Sequence, residues 1–77
     1  MEASELAQIL KSMYFDSKDG EAVAMIHLFG IKYRDEIKSC DTSSANIAKL
    51  AGISEKYGTE INKGCKLAKY VSIKSSV

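Results

Sequence analysis

The stretch from Ser43 to Gly64 constrains this chain more than any other, because its local signals admit one arrangement of backbone. The Ser43 hydroxyl is placed to accept one of the backbone N–H groups left orphaned at a helix start. Ile47, Ala48 and Ala51 then fall at i, i+1 and i+4 on one apolar face. Gly52 follows where the chain must leave the helix with positive φ, a conformation glycine adopts without a Cβ penalty. Ile53 plugs the corner, and Ser54 is placed to cap a second helix that carries Tyr57 and Ile61 inward. Small Ala48, four residues before Gly52, lets the two helices approach closely.

This Ile-Ala-x-x-Ala-Gly-Ile-Ser core resembles the helix-turn-helix of the bacterial repressor and excisionase type, over about twenty of the 77 residues. The resemblance implies a unit that lays its second helix in the major groove of double-stranded DNA. One position departs from the pattern. Helix-turn-helix proteins usually carry Val or Ile three residues before Ile61, and here that residue is Gly58, with Tyr57 beside it to supply the packing. If the resemblance holds, the exposed start and outer face of the second helix meet the groove: Ser54, Lys56, Thr59, Asn62, Lys63 and Lys66, among Glu55 and Glu60. The lysines suit phosphate or guanine, and Asn62 and Thr59 suit adenine edges or the thymine methyl. The two glutamates repel the backbone. They favour the alternative in which the same hairpin is a scaffold for a protein contact.

The rest of the chain reads as all-α. Proline is absent, so nothing prevents closely spaced helices joined by glycine and polar turns. Seventy-seven residues with 45% hydrophobic content make one domain, residues 1–77, near the lower limit for an unstapled core. Helices are expected at about 4–14, 21–29, 32–39, 44–51 and 55–63. Ser4 caps the first, whose Leu6, Ile9, Leu10 and Met13 form one stripe. Asp19 caps the second, with Glu21 in its first turn and Val23, Ile26 and Phe29 inward. Gly30-Ile31 breaks that helix, Ile37 faces the core from the third, and Gly64 stops the fifth. Leu67, Tyr70 and Val71 fit a helical turn, and Tyr70 to Ile73 fits a short strand equally well, which would pair most simply with its own copy in a homodimer. Ser75 to Val77 is expected to fray.

Leu28-Phe29-Gly30-Ile31 with Tyr33 and Ile37 echoes Leu50-Ala51-Gly52-Ile53 with Tyr57 and Ile61. This weak internal repeat suggests two similar hairpins sharing one core through those two tyrosines and two isoleucines.

Charge divides unevenly. Residues 1–39 hold five cations against seven carboxylates, and residues 40–77 hold six lysines against three carboxylates. The positive field lies on the half where phosphate neutralisation would need it. Cys40 and Cys65 have neither zinc spacing nor a neighbouring His, and read as small semi-buried hydrophobes. His27, the one histidine, reads as a core or boundary residue, and the pairs Asp19/Glu21 and Asp35/Glu36 as solvated charges at helix starts. No catalytic, metal or cofactor site emerges, and a bundle this small offers little room for a ligand pocket. With no apolar run of membrane-spanning length and no leader pattern, a cytoplasmic, non-enzymatic protein is expected.

Overall fold

A computed structural model describes residues 1–74. Five α-helices occur among them: α1 (Ala3–Phe15), α2 (Ala22–Lys32), α3 (Arg34–Ser39), α4 (Ser44–Leu50) and α5 (Gly58–Leu67), with a 3₁₀ turn at Glu55–Tyr57 before α5. The fold is all-α, as the pattern requires. Residues 70–73 form no strand: Tyr70 and Val71 turn back onto the Leu67 carbonyl, and 71–74 carry no regular structure. A lone strand has no partner for its backbone groups, so the turn satisfies them instead. The fraying expected at 75–77 lies outside the described residues.

Six side chains are fully buried at the centre: Leu6 and Leu10 from α1, Ile26 and Phe29 from α2, Ile47 from α4 and Ile61 from α5. Removing each from water contributes about 1.5–3 kcal/mol before entropy is counted. Ile37, Ala48 and Ala51 join them as expected, and Ile9, Met13, Ile53, Tyr33 and Tyr57 pack half-buried at the margin. Ala7 and Cys65, which periodicity did not single out, are also buried, while Cys40 is half-buried, and both thiols are free. Val23 was expected inside and is 42% exposed. It lies in the first turn of α2, nearly two turns from Gly30, where α5 crosses, and so is only partly covered.

That crossing is unusually close. Gly30 of α2 lies directly on Gly64 of α5: a Cβ at Gly30 would come within 2.5 Å of the Ile61 carbonyl oxygen and 2.9 Å of the Gly64 Cα. A Cβ at Gly64 would fall on the His27 carbonyl oxygen. Two sequence expectations are corrected here. Gly30 does not break α2, which continues to Lys32, and Gly64 does not end α5, which continues to Leu67. Both glycines stay helical because their lack of a side chain is used sideways, to admit the other helix.

Helix starts differ in detail from the expected caps. α1 begins at Ala3, so Ser4 is already inside the helix, and the Glu5 carboxylate accepts the Glu2 N–H at 3.1 Å instead. α2 begins at Ala22, so Asp19 lies too far back to cap it, and Glu21 occupies the cap position without a side-chain bond. α3 starts at Arg34 rather than 32, because α2 holds Lys32 and only Tyr33 separates the two.

Since backbone atoms surround the missing Cβ at the crossing, Gly30→Ala should destabilise the domain by about 2–3 kcal/mol, the upper part of the usual range for overpacking. Gly52→Ala, where only conformation is penalised, should cost about 1 kcal/mol. Urea unfolding of the two variants checks the order; equal midpoints would contradict the close crossing.

Candidate nucleic-acid interface

The unit from α4 to α5 is assembled by backbone caps. Ser43 Oγ accepts the Asn46 N–H at 3.1 Å, and the Asn46 side chain donates to Thr42 Oγ1 at 2.7 Å, which fixes the entry to α4. At the exit, Gly52 has φ +85°. Its N–H donates to the Lys49 carbonyl at 3.0 Å and the Ile53 N–H to the Ala48 carbonyl at 3.1 Å. This is the Schellman arrangement, in which positive φ lets two final N–H groups turn back on the helix end. Ser54 Oγ then accepts the Lys56 N–H at 3.4 Å and opens the 3₁₀ turn.

Position 58, where an apolar lock would be typical, is filled by contact rather than by a side chain. Gly58 sits against the Ala45 backbone, so close that a Cβ would lie 2.7 Å from the Ala45 nitrogen. Tyr57 supplies the apolar bulk and packs outward onto α1, its ring 5.9 Å from that of Tyr14. A further strut crosses from α4 to α5: Ser44 Oγ donates to Asn62 Oδ1 at 2.6 Å.

All six residues picked from the sequence are exposed: Ser54, Lys56, Thr59, Asn62, Lys63 and Lys66. On α5, Thr59, Asn62, Lys63 and Lys66 recur at i, i+3, i+4 and i+7, opposite buried Ile61, so they share the outer face. Not all their polar atoms are free. Ser54 spends its acceptor on the cap but keeps its hydroxyl proton. Asn62 spends Oδ1 on Ser44 and keeps its amide donors.

Glu60 is placed otherwise than expected. Its side chain turns from the outer face toward α2 and is only 22% exposed, with Oε1 at 2.8 Å from His27 Nε2 and Oε2 at 3.2 Å from Lys63 Nζ. An ionised carboxylate only accepts, so His27 carries its proton on Nε2 in this bond. The His27 bond, followed by that from Lys63, holds the Glu60 carboxyl below the ordinary glutamate value. The lone histidine is a boundary residue with a structural role, tying the outer helix to α2. Glu55 remains an outward carboxylate, 3.8 Å from Lys49 across the glycine turn, an exposed pair of small energetic weight.

Three cations escaped the sequence reading. Arg34 and Lys38 of α3, with Lys69 beyond α5, line a cleft with Asn62, Cys65 and Lys66. The i, i+4 spacing of Arg34 and Lys38 was a usable signal, hidden by the net negative charge of their half of the chain. Burial pushes the Cys65 thiol up, while Lys38 and Arg34, which line the same cleft, draw it back.

Elsewhere, α1 and α2 leave an open apolar groove of about 430 Å³ lined by Ile9, Met13, Met25, Leu28, Tyr33 and Ile73, more room than the size of the bundle suggested. Among the described residues, no three His, Cys, Asp or Glu side chains gather as metal ligands, and no helix is long and apolar enough to cross a membrane.

Residues 2–74 match the family model of the HTH-like domain. No curated protein and no solved structure matches the chain.

Glu60 holds its proton less tightly in the folded chain than in the unfolded one. Its contribution to stability is therefore complete above the unfolded value and is lost as pH falls through the folded one. Glu60→Gln should lower the urea midpoint at neutral pH, and the gap to wild type should close in strong acid. A gap independent of pH would show that the His27 contact does not depend on ionised Glu60.

Proposed function

Because this chain belongs to the family of HTH-like domains, which are typically DNA-binding, we propose that it binds double-stranded DNA with α5 in the major groove. The observation that carries this reading is the outer face of α5. Thr59, Asn62, Lys63 and Lys66 stand together in solvent, Lys56 extends the face, and one of its two carboxylates, Glu60, is turned onto His27. Lys56, Lys63 and Lys66 neutralise phosphates or reach guanine. The free amide donors of Asn62 and the hydroxyls of Thr59 and Ser54 address base edges and backbone oxygens. In this role the domain is a small, non-enzymatic transcription regulator of bacterial or phage type, acting in the cytoplasm, or the DNA-binding module of a larger protein.

A second reading rests on a different observation. Leu67, Tyr70 and Val71 leave an exposed apolar patch at the end of α5, with Tyr70 83% exposed. Such a patch suits a protein contact, including a homodimer through the C-terminal segment. The strand pairing first expected for that dimer is not its basis, since 70–73 form no strand.

Fluorescence anisotropy of a labelled random duplex across a salt series decides between the two. With DNA as partner, Lys56→Ala and Lys63→Ala should each weaken binding and lower the salt slope by about one unit per lost phosphate contact. Glu55→Gln should strengthen it. A folded protein that ignores duplex even at low salt would leave the hairpin as a protein-contact scaffold.

A further inference from the structure

We propose that the cleft between α3 and the second half of α5 is a phosphate site, which grips the DNA backbone beside the groove that α5 enters. The inference rests on the duplex-binding reading and adds a second, separate contact to it. The cleft has a volume of about 310 Å³ and is lined by Arg34, Lys38, Asn62, Cys65, Lys66 and Lys69. Four of those six residues are cations, and none is a carboxylate.

The acids of α3, Asp35 and Glu36, do not line the cleft with these cations. Among the described residues Lys38, Lys66 and Lys69 form no ion pair. Arg34 meets only Asp35, at 3.9 Å and with that carboxylate 91% exposed, which is too loose and too solvated to neutralise it. The Arg34 Nε is buried without any hydrogen-bond acceptor. A half-buried guanidinium with an orphaned donor carries a desolvation cost that an anion relieves. Glu36, the remaining acid of α3, has its Oε2 buried without a partner as well, but it does not line the cleft.

Phosphate fits this set better than a carboxylate does. Its oxygens can be shared among an arginine fork, several ammonium groups and the Asn62 amide donors. Position selects the source of that phosphate. Asn62 and Lys66 belong both to the cleft and to the outer face of α5, so a strand bordering the groove would pass directly over it. Base readout and backbone grip would then be held in register by one helix.

The test uses exposed residues whose change should leave the fold intact, checked by thermal melting. Lys38→Gln and Lys69→Gln should each weaken duplex binding about three- to tenfold at roughly 0.1 M salt and reduce the salt slope by about one. Lys11→Gln, on the exposed side of α1, should change neither. In parallel, nitrogen-15 NMR follows the Arg34 Nε–H and the Cys65 amide during titration with the duplex and with inorganic phosphate. Movement of both signals on adding duplex supports the site. Wild-type binding and slope in the Lys38 and Lys69 variants would overturn it while leaving duplex binding by α5 intact. Shifts with inorganic phosphate but no duplex binding would overturn both readings and make the cleft a site for a small phosphate compound. Silence of both signals while the duplex binds would overturn the cleft and leave α5 binding standing.

Discussion

The contact between Gly30 and Gly64 sets the geometry from which the other features of the fold follow. Two helix backbones meet there with no side chain between them. Close approach brings His27, one turn before Gly30, within 2.8 Å of Glu60, one turn before Gly64. It also aligns Ile26 and Phe29 with Ile61 in the core. With α5 pinned along its inner side, the only side chains it can offer to a partner are those opposite Ile61. The outer face is thus selected by what the inner face must do.

The same fixation explains the electrostatic character of the surface. A free glutamate on α5 would sit among lysines and oppose any polyanion. Turned inward, Glu60 serves as an acceptor for His27, and its charge is shared with Lys63 near the helix edge. The net charge of +1 says little about the field a partner meets. Folding gathers Arg34 and Lys38 from the acidic half onto the basic half, at the cleft that Lys66 and Lys69 share. Local arrangement, rather than total charge, decides which polymers such a small domain attracts.

Within the α4–α5 hairpin the local signals and the final geometry agree. Ser43 caps, Gly52 adopts positive φ, Ser54 caps again, and Ile47, Ala48 and Ala51 are buried. The agreement has a physical basis: each of these signals acts over four residues or fewer, within reach of the chain's own backbone. The outer-face residues were legible for the same reason, since helical period alone separates them from Ile61. What spacing could not convey was occupancy, namely that Asn62 already holds Ser44 and that Glu60 points away.

The two halves of the apparent repeat mark where local information ends. Leu-Phe-Gly-Ile and Leu-Ala-Gly-Ile look alike, and both suggest a helix ending at glycine. Gly52 does end its helix, because nothing packs within 4 Å of its missing Cβ and the backbone is free to turn. Gly30 does not, because α5 fills the space beside it and helical geometry is what permits that contact. The all-α class, the capped α4–α5 hairpin, most of the core and the polar face of α5 could be read from the order of residues, since periodicity and capping are short-range. The role of each glycine, the inward turn of Glu60, the absence of a strand at 70–73 and the Arg34–Lys38 cleft were settled only by packing. Those outcomes depend on which backbone lies alongside, and residues about thirty positions apart cannot announce that in advance.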